Sequence, residues 1–125
     1  MKPNLADLRK SYDKGSLEIN AVIDHPLNLF ETWFKEAEQS DFIEEANAMT
    51  LSTLGKSGFP KSRVVLLKGF SEEGFVFFTN YESEKGRSML HNPKVGITFF
   101  WPSLERQIII KGNAEKISSA RSDDY

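Results

Sequence analysis

The sequence contains no cysteine and only two histidines, which removes several classes of site at once. Without cysteine there can be no disulfide framework, no thiolate metal ligand and no cysteine nucleophile. This composition fits a reducing cytoplasm, where we expect the protein to reside. No apolar stretch approaches the roughly 20 residues of a membrane span, and the N-terminal residues lack the apolar core of a signal peptide, so we expect no membrane partner.

An excess of either charge is also missing. The 125 residues include 16 Lys and Arg against 18 Asp and Glu, for a formal net charge of −2. A general nucleic-acid binder needs a clear excess of cations against the phosphate backbone, so we expect no nucleic-acid partner. Any anion-binding site must therefore be local, within a single globular domain of ordinary composition.

The usual catalytic patterns are absent as well. His25 and His91 both sit beside predicted helix ends, next to proline or asparagine, which favours a structural role. The sequence has no metal-ligand spacing, no nucleophile elbow and no phosphate-binding glycine loop. No residue is clearly suited to acid-base or nucleophilic work, so any reaction here would depend on a bound cofactor.

Phenylalanine is the residue type that is unusually frequent, with 10 of the 15 aromatic residues. Most of the phenylalanines lie in strand-like segments. This distribution predicts a β-rich core, and a stacking surface for a planar ligand is the alternative interpretation.

Two helices are predicted before the strands begin. The first covers residues 4–14 and is narrow in its apolar face. The second opens at Asp24, a suitable N-cap, with Pro26 in its first turn. Its apolar stripe should pack on the core, and consists of Leu27, Phe30, Trp33, Phe34 and Ala37.

From Ala48 the hydrophobic pattern changes to a period of two, typical of strands. Strands are predicted at 48–54, 63–70, 75–80, 94–101 and 106–118, with a short helix beginning at Ser83. Five antiparallel strands in so short a chain predict a small β-barrel, because closure removes exposed strand edges. The expected organisation is a helical segment, 1–47, that packs on a β-barrel domain, 48–125.

The strand at 63–70 is the most informative segment, because a cation stands at each end of four aliphatic residues. We expect it to lie mid-sheet and to be mostly buried. Strict alternation separates Arg63 from Lys68, so one ligand could reach both only through a twist, a bulge or the strand end. The face of Lys68 then carries Val64, Leu66 and Phe70, and the face of Arg63 carries Val65 and Leu67. Both cations either lie at solvated strand ends or meet an anionic ligand.

A second anion site is predicted where the short helix begins. Its N-terminus at Ser83 presents unpaired N–H groups and a positive dipole end, and Lys85 and Arg87 add cations. Thr79 and Gln107 are further groups suited to phosphate.

Taken together and in order, these segments resemble the pyridoxine 5′-phosphate oxidase family. The matching pieces are residues 8–12 (LRKSY), 26–33 (PLNLFETW), 63–68 (RVVLLK), 75–80 (FVFFTN), 83–86 (SEKG), 92–93 (NP) and 104–107 (LERQ). Each piece is common alone, whereas their ordered combination over nearly the whole chain is specific.

The resemblance implies a split β-barrel homodimer with FMN at the subunit interface, mainly β with flanking helices. It implies an oxidase that removes a hydride equivalent from the C4′ carbon of pyridoxine or pyridoxamine 5′-phosphate. Oxygen is then the acceptor, and hydrogen peroxide and pyridoxal 5′-phosphate are the products. Such an enzyme serves vitamin B6 salvage.

The resemblance also assigns residues by position. The FMN contacts would be Arg63, Val64, Val65, Leu66, Leu67, Lys68, Phe78, Thr79, Lys85 and Gln107, with Arg63 and Lys85 on the FMN phosphate. The substrate contacts would be Arg9, Lys10, Ser11, Tyr12, Lys68 and Tyr125, with Lys68 and Tyr125 on the substrate phosphate.

Three departures from the family pattern qualify this interpretation. Phe78 stands where the family often has tyrosine, and Glu84 stands where many members have an arginine beside the FMN phosphate. A carboxylate cannot donate to phosphate, so that contact is lost or turned away. The family also continues past Tyr125, which predicts that this chain is the front part of a longer oxidase. The alternatives are a barrel that binds FMN or pyridoxal 5′-phosphate without turnover, and a barrel that binds a protein partner through its phenylalanines.

Overall fold

The structure, a computed structural model, describes residues 25–79, 88–89 and 91–117. The helix predicted at 4–14, the start of the short helix at Ser83 and the residues from 118 onward lie outside these ranges.

The helix α1 spans Pro26–Gln39, and its N-cap is His25 rather than the expected Asp24. His25 adopts an extended backbone, and its Nδ1 accepts a hydrogen bond from the Leu27 amide at 3.1 Å. The imidazole thus satisfies one of the free N–H groups at the helix start, which is the structural role expected of this histidine. Within the described ranges, no helix combines the length and the apolarity that crossing a bilayer requires.

Five strands follow α1 and form one antiparallel sheet in the order β3-β2-β1-β4-β5. They are β1 Ala48–Leu54, β2 Pro60–Ser71, β3 Gly74–Phe77, β4 Lys94–Trp101 and β5 Arg106–Asn113. The limits of β1 and β4 match the prediction, whereas β2 begins earlier and β3 and β5 end earlier than expected. The mainly β, split-barrel class is confirmed as a curled half-barrel against which α1 packs. In the described part of the chain the sheet is not closed, and β3 and β5 lie at its edges.

Two glycines make the tight connections of the β1-β2-β3 meander possible. Gly58 has φ of 80° before β2, and Gly74 has φ of 141° where β3 begins. Side chains with a Cβ atom rarely adopt these backbone angles, so glycine is the residue that suits both turns. The meander therefore follows from turn chemistry that the sequence already displays.

The hydrophobic core lies between α1 and one face of the sheet. Phe30 is at its centre, with ring centroids 4.9 Å from Phe70, 5.1 Å from Phe75 and 5.2 Å from Phe99. The first two contacts are edge-to-face, which aromatic rings prefer over a stacked sandwich. The apolar stripe of α1 is thus confirmed as core, and phenylalanines from three strands supply the surface that it covers.

Polar contacts fix the ends of this packing. Arg106, at the start of β5, donates to Glu36 of α1 at 2.6 Å, and its guanidinium carbon lies 4.6 Å from the ring centroid of Trp33. Trp101 donates its indole N–H to the Ala46 carbonyl at 3.1 Å in a buried position. These contacts hold α1 and the segment before β1 against β4 and β5.

Candidate functional site

The two faces of β2 differ sharply in exposure. Val65 and Leu67 are buried in the core below α1, whereas Val64 keeps 70% of its surface exposed. The expectation that this strand is mostly buried was wrong, because only one face of the sheet is covered in the described chain. The side chains of Val65 and Leu67 therefore cannot touch a ligand, and only their main chain is available for such a contact.

Lys68 is the extra residue of a β-bulge. Leu67 pairs with Phe77 and Gly69 pairs with Val76, so the register between β2 and β3 shifts at Lys68. Beyond a bulge, the alternation of side chains changes phase. Strict alternation predicted that Phe70 would share the face of Val64. Because of the bulge, Phe70 packs in the core instead.

Arg63 and Lys68 are both exposed. Arg63 pairs with Leu51 of β1, near the start of β2, and belongs to the alternating set of Val65 and Leu67. Because Lys68 lies five residues further on, at the bulge, the two cations are suited to separate anionic groups, not to one small anion.

Thr79 supplies a polar group that lacks a partner. It follows the end of β3, and its Oγ1 is buried without a hydrogen-bond partner in the described part of the chain. A buried hydroxyl that is left unsatisfied is costly, so this position is one where a ligand's polar atom fits. Phe78 beside it is 47% exposed, so its ring is open to contact.

Gln107 lies on what we call the outer face, the face of the sheet opposite α1. This face carries Val64, Leu66, Phe100, Gln107 and Ile109. Across the strands, Val64 pairs with Thr50, Thr50 with Thr98, and Thr98 with Ile109. Phe100 and Ile109 are 54% and 60% exposed, so apolar side chains face outward on β2, β4 and β5.

A cleft of about 440 Å³ opens beside the bulge. It is lined by Phe34, Glu38, Ile43, Glu44, Glu45, Ala46, Asn47, Leu67, Lys68, Gly69 and Phe70. Lys68 is the single cation in this lining and makes no ion pair with the three carboxylates among the described residues. The three glutamates are exposed like Lys68, and their charge disfavours an anion in the cleft except close to the Lys68 ammonium group.

Several predicted site residues lie outside the described ranges, so their positions stay predictions. They are Arg9, Lys10, Ser11, Tyr12, Lys85 and Tyr125. Among the residues that the structure does describe, no group of three or more His, Asp or Glu side chains is placed to hold a metal ion.

Asn47 is the polar residue beside the site that sequence reasoning missed. It precedes β1 and makes two hydrogen bonds to Leu67, one through its side chain at 3.1 Å and one through its carbonyl at 2.8 Å. No local pattern marks such a residue, because its partner is 20 residues away along the chain. Only the pairing of β1 with β2 brings the two together.

Comparison with known proteins places these features in a family. The model of the family described as pyridoxamine 5′-phosphate oxidase matches residues 36–125, which is well over half of the chain. The chain belongs to this family. The matched range includes all five strands and the whole of the bulge region.

Curated relatives in the family match almost the entire chain. The pyridoxine/pyridoxamine 5′-phosphate oxidase of Flavobacterium psychrophilum is 54% identical over 122 residues, which is 98% of this chain and 57% of the relative. The enzyme of the same name from Leptospira interrogans is 49% identical over 125 residues, 100% of this chain and 58% of the relative. The chain thus spans somewhat more than half the length of the curated family members that it matches.

Solved structures share the fold. PhzG from Burkholderia lata, crystallised with tetrahydrophenazine-1-carboxylic acid, has a TM-score of 0.77 and 25% identity, over 84% of this chain and 52% of that one. An FMN-binding protein from Nostoc punctiforme, related to pyridoxamine 5′-phosphate oxidase, has a TM-score of 0.62. This protein is 19% identical over 82% of our chain and 55% of its own length, so the similarity concerns the fold alone.

The turn before β2 packs closely on the segment that follows the predicted Lys85 site. A Cβ atom on Gly55 would lie 2.8 Å from Ser88 Oγ and 3.6 Å from Ser88 Cβ. We expect Gly55→Ala to lower the free energy of unfolding by about 1 kcal/mol, since overpacking outweighs the entropic gain of replacing glycine. Urea denaturation measures this loss.

Ser88→Ala provides the matched background for that measurement. It removes the hydroxyl that meets the new methyl group and leaves an ordinary 3.6 Å contact. Gly55→Ala should then be neutral or stabilising by a few tenths of a kcal/mol. An equal loss in both backgrounds would show that the close approach to Ser88 does not limit this position.

Proposed function

We propose that the protein containing this chain is an FMN-dependent oxidase of pyridoxine 5′-phosphate and pyridoxamine 5′-phosphate, which yields pyridoxal 5′-phosphate. The observation that carries the proposal is the match to curated enzymes of that name at 49% to 54% identity over 98% to 100% of the chain. Family membership supports a small-molecule substrate and an oxidoreductase. A cytoplasmic location is part of the proposal, since a sequence without cysteine fits a reducing compartment.

FMN is the cofactor that the family and the FMN-binding neighbour support. When bound, it supplies the acceptor for a hydride equivalent from C4′ of the substrate, with O₂ as the final oxidant and H₂O₂ as a product.

The chain's own residues would bind and orient this cofactor. Arg63 is exposed and always charged, so it is suited to the FMN phosphate, together with Lys85. Thr79 offers its unpartnered hydroxyl and Gln107 its amide. In the same proposal, Val64 and Leu66 would present side chains to a flat ring system, and Val65 and Leu67 only their main chain.

Lys68 would bind the phosphate of the substrate. It is displaced from Arg63 by the length of the aliphatic segment, so each cation can serve one of the two phosphates. A further set of substrate contacts is proposed from the family pattern, namely Arg9, Lys10, Ser11, Tyr12 and Tyr125. Residues 1–47 would form the helical segment and residues 48–125 the barrel domain of this arrangement.

We further propose that a second copy of the chain covers the outer face, with the cofactor at the interface. Val64, Phe100 and Ile109 are each more than half exposed there, on three strands of one sheet. An apolar face of this kind is typical of a protein interface. The contact is self-complementary in a two-fold dimer, because the same face is used by both subunits.

Ile109→Glu tests the dimer. A carboxylate within an apolar interface would be buried without a partner, so we expect a shift from dimer to monomer in analytical ultracentrifugation. Phe42→Glu is the control, because Phe42 is 85% exposed on the loop between α1 and β1, away from the outer face. If Ile109→Glu and Phe42→Glu leave the same dimer dissociation constant, the outer face is not the interface.

Arg63→Ala tests the cofactor site. Loss of a charged hydrogen bond to phosphate costs about 1.5–3 kcal/mol, so the dissociation constant for FMN should rise about 10- to 150-fold. The quenching of flavin fluorescence measures this constant. Lys56→Ala, in the turn before β2, controls for the loss of one positive charge. Equal FMN dissociation constants for Arg63→Ala and Lys56→Ala would show that Arg63 is not part of the site.

Turnover is tested on the FMN-loaded protein after gel filtration. For this chain the expected result is a retained visible flavin band, and for a full-length relative it is a retained band together with H₂O₂ formation from pyridoxine 5′-phosphate. A retained flavin band without H₂O₂, in a full-length relative of this chain as well, would instead favour a binding protein without oxidase activity. A colourless protein would contradict the cofactor assignment.

A further inference from the structure

Asn47 satisfies both main-chain polar groups of Leu67. The Leu67 amide donates to the Asn47 carbonyl at 2.8 Å, and the Asn47 side-chain amide donates to the Leu67 carbonyl at 3.1 Å. In a regular antiparallel pair the second bond would come from a main-chain amide. Here the ladder has ended, since β1 begins at Ala48, and a side chain takes the place of that donor.

The carbonyl held by Asn47 belongs to the peptide bond that enters the bulge. Leu67 C=O and Lys68 N are parts of one planar unit, so fixing the oxygen fixes the plane from which Lys68 departs. The register with β3 changes at this residue, between the Leu67–Phe77 and Gly69–Val76 pairs. On the β1 side, Asn47 is therefore the residue that holds the strand at the point where its alternation breaks.

The side chain at the bulge, that of Lys68, can adopt more than one orientation. Lys68 lines the cleft with Glu38, Glu44 and Glu45, yet it makes no ion pair with them in the described part of the chain. A long lysine side chain loses considerable rotamer freedom when it is held in one orientation. If the peptide plane before Lys68 is fixed, fewer orientations are open to its side chain beforehand. Less rotamer entropy is then lost when the lysine is held in one orientation.

We propose that Asn47 is a positioning residue for Lys68: its side-chain amide holds the bulge in the form that presents the lysine to the substrate phosphate. The inference rests on the proposed function, in which Lys68 binds that phosphate. Asn47 also lines the cleft, and in this proposal it acts on the lysine through the Leu67–Lys68 peptide.

The first test compares binding of pyridoxal 5′-phosphate to the FMN-loaded protein with binding of FMN to the flavin-free protein. Asn47→Ala removes the donor, and a partly buried hydrogen bond of this kind corresponds to about a 3- to 10-fold change in an equilibrium constant. We expect pyridoxal 5′-phosphate to bind about 3- to 10-fold more weakly and the FMN dissociation constant to stay within about 2-fold. Asn47→Asp, which keeps the shape and loses the donor, should weaken binding at least as much.

Asn92→Ala is the matched control. Asn92 also makes a side-chain hydrogen bond to the main chain, accepting from the Lys94 amide at 3.1 Å before β4, but it lies outside the proposed site. We expect its pyridoxal 5′-phosphate affinity to equal that of the unmodified protein. A loss as large as that of Asn47→Ala would assign the effect to general destabilisation and overturn the proposal.

A double-mutant cycle separates the role of Asn47 from that of Lys68. If Asn47 acts through Lys68, Asn47→Ala should add no further loss in a Lys68→Ala background. Additive losses would overturn the proposal. Lys68→Ala with unchanged affinity for pyridoxal 5′-phosphate would instead refute the assignment of the lysine in the proposed function.

Hydrogen exchange tests the hold on the bulge without any ligand. In Asn47→Ala, the Lys68 and Gly69 amides should exchange about 3- to 10-fold faster, and amides between β1 and β4 should be unchanged. Unaltered exchange at Lys68 and Gly69 would overturn the inference whatever role the lysine has.

Discussion

The bulge at Lys68 is the local constraint on which the arrangement of this sheet depends. One extra residue in β2 changes the phase of side-chain alternation between Leu67 and Gly69. Phe70 is thereby brought to the core face, where its ring lies 4.9 Å from Phe30 of α1. Without the bulge, Phe70 would share the outer face with Val64, and the aromatic cluster beneath α1 would lose a member. The same bulge leaves Lys68 exposed beside the cleft.

The sheet has one covered face and one exposed face in the described chain, and the proposed site uses this difference. The core face, packed against α1, supplies the rigid support, and the cations stand at the two ends of the short buried segment of β2. The outer face stays apolar and exposed in the described chain, as Val64, Phe100 and Ile109 illustrate. Binding a flat cofactor and a second subunit on that face would use the same surface for assembly and for the site.

Much of the fold could be predicted because its signals are local. The stripe of α1 and the limits of β1 and β4 follow from periodicity alone, and the turns at Gly58 and Gly74 follow from the backbone angles that glycine permits. The predictions that failed concern which parts of the chain contact each other. Asp24 was the expected N-cap and His25 is the actual one. Residue type does not distinguish them, because both side chains can accept a hydrogen bond from the amides at the helix start. The burial of β2 was overestimated, since a run of aliphatic residues does not reveal which face is covered.

The sequence by itself determined the family, the order of the elements and the cations that flank β2, because these are properties of residue type and spacing. The candidate site was less accessible: six of its predicted residues lie outside the described ranges, and Asn47 carries no sequence signal at all. Tertiary structure alone decided the position of the bulge, the phase of Phe70 and the contact of Asn47 with Leu67. The physical reason is that strand register is a relation between segments about 20 residues apart, which no local preference of either segment specifies.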